Sequence, residues 1–455
     1  MKADIVIENA IVLTKEFEFL RNHTIVINNK KIVDIFETGS KDYDFKDKIE
    51  GRNKLVMPGL IDGHTHLTQQ LLRGMISDEY PVIYKRFNLP LESKLTPNQV
   101  KLSTELGCLE MIKSGTTSFA DAGGTHTHKM VEGVMNSGLR AVLTRSTSDT
   151  GEGIPKNMKE TTEEGLRLSE KFYLDYNNYA EGRIKVWFQY RTLASCTDEL
   201  IVGLTNLAKK YKTGVHTHIS EYGEAVLYSL RTHGMREIEY LDHLGVMFPK
   251  LLAAHCCLVS ENDIKILRDT NTKVIHCPRS NLGKAVTKTP SMLNHGISVG
   301  FGTDGTAHSG LSLFREITAF KHSQIITHGV PYLDFSVMNS KIMLEMLTMG
   351  GARAIGMEDE IGSLEIGKIA DIITIDLNKP HILPTHNLLN TLMESVNSND
   401  VCDSIVDGKI IMRNRKVLTL DEDCLLAEAG KNLELLNKLN NWSDDNLITL
   451  DRRSK

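Results

Sequence analysis

Val56-Met57-Pro58-Gly59-Leu60-Ile61-Asp62-Gly63-His64-Thr65-His66 marks the point where the character of the chain changes. Before it, residues 3–7, 24–27 and 32–35 form short apolar runs, with a turn at Asn28-Asn29-Lys30-Lys31, and read as a β-meander. Beyond Pro58-Gly59, strand-like apolar runs alternate with helix-length segments. The run from Leu60 ends in two histidines. In an extended segment, side chains at i and i+2 point to one side, so His64 and His66 can present two imidazoles to one ion.

Working outward, residues 116–120, 140–143, 184–188, 214–218, 251–255, 273–276 and 299–303 read as further strands, and 128–137 as a helix. Repeated βα units of this kind favour a parallel barrel or a doubly wound sheet. After residue 360 short strands return, at 372–375, 401–406 and 410–412, with a turn at Asp407-Gly408-Lys409. The late strands resemble the early ones. The expected organisation is a small β-sandwich domain built from residues 1–57 and 356–420, an α/β domain of residues 58–355 inserted between them, and a helical tail at 421–455. A chain of 455 residues exceeds what one hydrophobic core organises. A (β/α)8 barrel takes ~250 residues and leaves room for the second unit.

Hydrophobic content of 41% and charged content of 24% are those of a globular protein and exclude a disordered chain. A net charge of −5 argues against nucleic acid or an anionic membrane as partner. No run of ~18 apolar residues is present, and the N-terminus lacks the apolar core of a signal peptide. The seven cysteines, odd in number and without Cys-x-x-Cys, read as buried thiols in a reducing compartment. A cytoplasmic protein is expected.

Three more strand ends carry candidate chemistry. His216-Thr217-His218-Ile219-Ser220-Glu221 offers an imidazole from either histidine and a carboxylate beyond. Leu252-Ala253-Ala254-His255-Cys256 ends an apolar run in histidine, and Gly300-Phe301-Gly302-Thr303-Asp304-Gly305 places an aspartate between glycines. Each alone has an ordinary equivalent in a solvated loop, a core histidine or a turn. Together they end separate strands in chain order, which points to a metal-dependent site. Neutral imidazole suits zinc and iron, and a carboxylate beside it suits proton transfer. His126 and His128 read as part of a solvated loop.

These segments resemble the amidohydrolase superfamily, in its nucleobase and nucleoside deaminase branch. That branch includes S-adenosylhomocysteine/methylthioadenosine deaminases, guanine deaminase and triazine hydrolases. His276-Cys277-Pro278-Arg279-Ser280-Asn281-Leu282 and Gly362-Ser363-Leu364-Glu365-Ile366-Gly367-Lys368-Ile369-Ala370-Asp371 carry the same resemblance, which spans roughly residues 3–415. It implies a (β/α)8 TIM barrel with His64, His66, His218 and Asp304 as ligands of one divalent metal, zinc before iron. Gln189-Tyr190-Arg191 falls where binuclear relatives carry a bridging lysine, so a single ion is implied. Asp304 would take a proton from the attacking water, Glu221 would shuttle it to the leaving amine, and His255 would stabilise the oxyanion.

The resemblance also offers Gln70, Glu92, Arg191 and His308 as substrate contacts, with Leu72 and Arg73 beside the first. Glu92, in Leu89-Pro90-Leu91-Glu92-Ser93-Lys94-Leu95-Thr96, would accept from ribose hydroxyls. Two departures bear on the substrate. Arg191 stands where adenosine-type relatives carry histidine, which favours a carboxylate, phosphate or carbonyl-rich ligand. Ala285 and Thr287 replace the usual glycines. The expected function is hydrolytic deamination of a purine, pterin or related N-heterocycle, free or as a nucleoside. The alternatives are chloride or alkylamine loss from a triazine, cyclic amide cleavage, and a catalytically silent binding protein. A small heterocyclic substrate and a homo-oligomer, dimer or tetramer, complete the expectations.

Overall fold

The computed structural model describes residues 2–74, 83–306 and 310–440, with side chains to residue 432. From Leu60 onward the chain builds parallel strands. One five-stranded sheet runs in the order Asp304–Gly305, Leu60–His66, Thr116–Asp121, Arg140–Leu143, Ile184–Val186. The other runs Phe188–Gln189, Val215–Ile219, Leu251–His255, Lys273–His276, Val299–Phe301. Trp187 alone separates the two sheets at one junction, and Gly302-Thr303 at the other. There Gly302 N donates to His276 O (2.9 Å) and Thr303 N to His64 O (3.1 Å). The chain thus touches both sheets where the last strand meets the first. Every expected strand of this region is present.

These strands are buried along nearly their whole length, which is why they read as continuous apolar runs rather than alternating ones. Helices cover them. Pro97–Lys113 starts from a capping box in which Thr96 and Gln99 satisfy each other's backbone. The helix expected at 128–137 is Thr127–Ser137, stopped by Gly138 at φ +83°.

Both chain ends enter one nine-stranded mixed sheet. Its seam is Lys54–Pro58, antiparallel to Ile372–Asp376, with Met57 opposite Ile373. Lys2–Leu13 joins the N-terminal strands to that seam, and Val401–Val406 and Lys409–Arg413 extend it on the other side. Ile5, Ile7, Ile25, Ile27, Val56, Ile372 and Ile405 form one core from both ends. The helix Glu422–Asn440 is tied to the body by Lys113, whose ammonium lies 2.7 Å from Glu422. Among the described residues no helix is long and apolar enough to cross a membrane. All seven cysteines are unpaired; five are buried as expected, while Cys402, on Val401–Val406, is half-buried and Cys424, on the last helix, exposed.

The parallel strands and the mixed sheet are joined by a buried ion cluster. Arg140 donates to Asp371 (2.6 and 3.1 Å) and to Asp407 (3.2 Å), and all three are buried. Asp371 also accepts from Ser118 Oγ (3.3 Å) and Asp407 N (2.7 Å). Removing the cation leaves two buried carboxylates without it, which is the costly way to break such a cluster. Arg140→Met is expected to lose about 3–5 kcal/mol of stability, read as a lowered urea midpoint with an unchanged slope.

Candidate active site

The C-terminal ends of the parallel strands converge on one buried cluster. Counting Ile184–Val186 and Phe188–Gln189 as one strand, the fourth, His64 and His66 come from the first strand, His218 from the fifth (Val215–Ile219) and Asp304 from the last, with Lys273–His276 the seventh. His64 Nε2 and His66 Nε2 each stand 3.4 Å from Asp304 Oδ1. His218 Nε2 is 3.2 Å from His66 Nε2. Ligand atoms at ~2.0–2.1 Å from a tetrahedral ion stand ~3.3 Å apart, so these spacings fit four donors around one centre. Buried His64 Nε2 has no hydrogen-bond partner among the described residues, as an atom reserved for a metal would be. Among the described residues His64, His66 and His218 form one group able to hold a metal ion, and His64, His255 and Asp304 a second that shares His64.

The outer ring nitrogens orient the imidazoles. His218 Nδ1 donates to Arg191 O (2.9 Å), which turns its Nε2 lone pair inward. His64 Nδ1 shares a 2.7 Å hydrogen bond with His216 Nε2. This resolves the choice between the two histidines of the fifth strand: His218 faces the centre and His216 supports His64 from behind. Burial keeps these rings neutral, holding His64 down to about 3 and His216 and His218 well below the usual range. Neutral imidazole is the ligating form. Burial pushes the Asp304 carboxyl up, but His64 and His66 outweigh it and hold it well below the carboxylate range.

Backbone strain marks the same strand ends. Ser220 (φ 50°), His255 (φ 76°) and Asp304 (φ 60°) are left-handed without being glycine. Such residues cost about 1–3 kcal/mol each and persist where surrounding contacts hold them. Gly302 has no such freedom to exchange: a Cβ there would sit 2.7 Å from His64 O and 2.9 Å from His64 N.

Glu221 and His255 face each other above the cluster, with Glu221 Oε2 3.8 Å from His255 Nε2. His255 Nδ1 is engaged by Asn281 Oδ1 (3.0 Å), and its Nε2 has no hydrogen-bond partner among the described residues. Ser280 Oγ donates to Asp304 Oδ2 (2.5 Å). Lys284 Nζ donates to Glu221 Oε1 (2.5 Å). Reading the sequence did not single out Ser280, Asn281 or Lys284 for these contacts. The signal available was their i, i+1, i+4 spacing, which sets 280 and 284 on one side of a helical turn.

A cavity with about 390 Å³ of free space opens over the cluster. Gln69, Tyr84, Asn88, Arg191 and Tyr222 help to line it. Arg191 is therefore at the cavity, as expected. Gln70 is not: its side-chain carbonyl accepts from Arg73 (2.8 Å), and its neighbour Gln69 takes the cavity position. The segment Leu67–Leu72 is a 3-10 helix, so consecutive residues diverge by a third of a turn, and the sequence-based choice falls one residue out. Leu72 packs with Leu91, and Arg73 pairs with Glu110. Glu92 is fully buried behind Gln69, whose Nε2 donates to Glu92 Oε1 (2.7 Å). Its Oε2 has no hydrogen-bond partner among the described residues. His308 lies outside the described residues. His126 and His128 are exposed, beside a separate cavity.

Comparison with known proteins places this geometry. Residues 55–411 match the amidohydrolase family. The 5'-deoxyadenosine deaminase of Methanobrevibacter smithii is 34% identical over 438 residues, 95% of this chain and 98% of that protein. The 5-methylthioadenosine/S-adenosylhomocysteine deaminase of Acetivibrio thermocellus is 35% identical over 395 residues, 86% of this chain and 89% of that one. A crystal structure of an adenosine deaminase from Xanthomonas campestris, with bound zinc, superposes with a TM-score of 0.89 at 24% identity, covering 96% of this chain and 99% of that one.

The cluster makes a direct prediction. The purified chain reconstituted with zinc is expected to hold about one equivalent, by elemental analysis after gel filtration. His66→Ala, which removes one of the four donors, is expected to hold a small fraction of that under the same conditions.

Proposed function

This chain belongs to the amidohydrolase family, and we propose that it is an aminohydrolase that releases ammonia from a purine-type heterocycle, with an adenosine derivative as the substrate class. The observation that carries this is the convergence of three histidines and Asp304 beneath an opposed Glu221 and His255, at one cavity. Relatives about a third identical over most of their length are named as deaminases of adenosine derivatives.

We assign His64, His66, His218 and Asp304 as the ligands of one divalent ion, with zinc as its identity. When bound, the ion supplies the Lewis acidity that makes a water nucleophilic at neutral pH. The protein's own groups move the protons. Asp304 Oδ2 accepts a proton from the attacking water. Glu221 carries a proton to the ring nitrogen and then to the departing amine. The C–O bond forms as the ring C=N electron pair moves onto the protonated nitrogen, the bond to the amine then breaks as the amine takes its proton, and the exchange is water for ammonia. With Nδ1–H given to Asn281 Oδ1, His255 donates from Nε2 to the oxygen, as charge gathers on it, when the ring carries both protons. This division requires a leaving group that needs a proton, and Glu221 meets that need.

Glu92, held behind Gln69, is assigned to the ribose side of the substrate through that amide, which lines the cavity. Arg191 is assigned to a carbonyl-rich or anionic part of the substrate. For the chain as a whole, we read residues 58–355 as a closed (β/α)8 barrel, with its seam at Gly302-Thr303. Residues 1–57 and 356–420 form a two-layer β domain around it, and 421–455 a helical tail. The backbone bonds from Gly302 and Thr303 to the seventh and first strands support the closure.

Ammonia release from zinc-loaded protein, measured across adenosine, 5'-substituted adenosines, guanine and pterins, tests the proposal. Release from at least one adenosine derivative is expected, and none from any heterocycle in the panel sinks it. Glu221→Gln is expected to keep its zinc and lose ~100-fold or more of kcat. Full activity in that variant would remove Glu221 from the proton path.

A further inference from the structure

Buried lysines are rare, because an ammonium without a partner is expensive to desolvate. Lys284 is one of them: its side chain is 8% exposed, against 11% for Glu221, with which it pairs. It follows the short helix Pro278–Asn281, whose last turn is continued by Lys284 N and Ala285 N donating to Asn281 O. Its Nζ donates to Glu221 Oε1 (2.5 Å) and to Ser280 Oγ (2.9 Å), and lies 4.6 Å from the centre of the Tyr222 ring. Ser280 Oγ in turn donates to Asp304 Oδ2 (2.5 Å).

We propose that Lys284 is a positioning residue of the reaction: its ammonium keeps Glu221 ionised and aimed at the leaving group, and ties it through Ser280 to the carboxylate that receives the water's proton. The assignment rests on the deaminase reading above. The geometry favours it over a plain structural ion pair. Lys284 reaches from the seventh strand's loop to a group on the fifth strand's loop. It does so next to two other residues of the same turn that grip Asp304 and His255. One turn of chain therefore sets the distances among three groups that exchange protons. The charge also decides which form of Glu221 is present. A buried carboxylate without a cation is pushed toward its neutral form, and a neutral Glu221 cannot accept a proton.

Several groups face Glu221. Burial pushes Glu221 toward its neutral form; His255, when it carries a proton on both ring nitrogens, and Lys284 favour the charged form, and Asp304 and Glu237 oppose it. Tyr84, Tyr222 and Cys257 are all pushed upward by burial and stay neutral near pH 7. Burial pushes Glu237 up to about 7, but Glu237 is common to wild type and variants, so a difference between them reports on Lys284. The sign follows. In wild type the net effect holds Glu221 below its ordinary value, so the acidic limb of activity lies at low pH. Without the ammonium the limb moves to higher pH.

The test uses zinc-loaded wild type, Lys284→Met, Lys284→Arg and Ser280→Ala. The acidic limb of kcat/KM for Lys284→Met is expected to move up by about 1 pH unit or more, with a ~10-fold loss or greater at its acidic end. Lys284→Arg restores the charge and is expected to bring the limb back toward wild type. Ser280→Ala is expected to leave the limb in place, since it keeps the ion pair. Thermal melting of Lys284→Met, Glu221→Gln and their double variant gives a readout that needs no turnover. The double variant is expected to melt above Lys284→Met, because neutralising Glu221 removes the buried charge left alone. An unmoved limb in Lys284→Met, or a double variant melting no higher than the single one, overturns the proposal while leaving ammonia release intact. Should the wild type release no ammonia, the melting comparison still decides whether Lys284 serves Glu221, and the deaminase reading fails by itself.

Discussion

Asp62 holds together the place where the last parallel strand meets the first. Its carboxylate accepts from Thr303 N (3.1 Å), Thr303 Oγ1 (2.6 Å) and His64 N (3.2 Å), all in the buried interior. Burial pushes its pKa up to about 7, and three donors are what make a carboxylate tolerable there. The seam matters because Asp304 is the residue after Thr303, and His64 and His66 lie on the strand that Asp62 anchors. A slip of one residue at this contact would turn the histidines away from Asp304, since alternate strand residues face opposite sides. The convergence of His64, His66 and Asp304 thus depends on a hydrogen-bonded carboxylate outside that group.

The rest of the site is built by the same economy. Two of the three imidazoles are aimed by groups placed for another reason: Arg191 O turns His218, while Arg191 also lines the cavity. His216 backs His64. The turn after the seventh strand supplies Ser280, Asn281 and Lys284 to three different acid–base groups. Strain at Ser220, His255 and Asp304 is held in place by these contacts. The wall facing the substrate is different in character. Tyr84 and Tyr222, with ring centres 6.0 Å apart, and the Arg191 guanidinium above Tyr84 form a surface of large, adaptable side chains. Chemistry and selection are thereby given to separate parts of the same mouth.

The mixed sheet contributes to the site only indirectly. Through Asp371 and Asp407 it closes on Arg140, a residue of the third parallel strand. That contact buries charge rather than hydrocarbon, so it specifies orientation as well as attachment. The strand Lys54–Pro58 then delivers the chain into Leu60–His66 with the metal histidines six and eight residues beyond Pro58. The domain formed by both chain ends is in this sense the support from which the first strand starts.

The candidate donors were legible in the sequence because their signals are local. A His-x-His or a Gly-Thr-Asp-Gly closing an apolar run needs only the two-residue period of a strand to be understood. The division of the chain into a β unit from both ends and parallel strands between was legible for the same reason, since patterning changes visibly at Pro58 and again after residue 360. Tertiary structure alone decided the rest. It chose His218 over His216, and Gln69 over Gln70, because rotation about a strand or a 3-10 turn cannot be read from residue type. It also joined Lys284 to Glu221, and Arg140 to Asp371 across 231 residues. No local pattern encodes such pairs. A buried charge finds its partner through folding, and until the chain is closed its sequence reads like that of any solvated lysine or arginine.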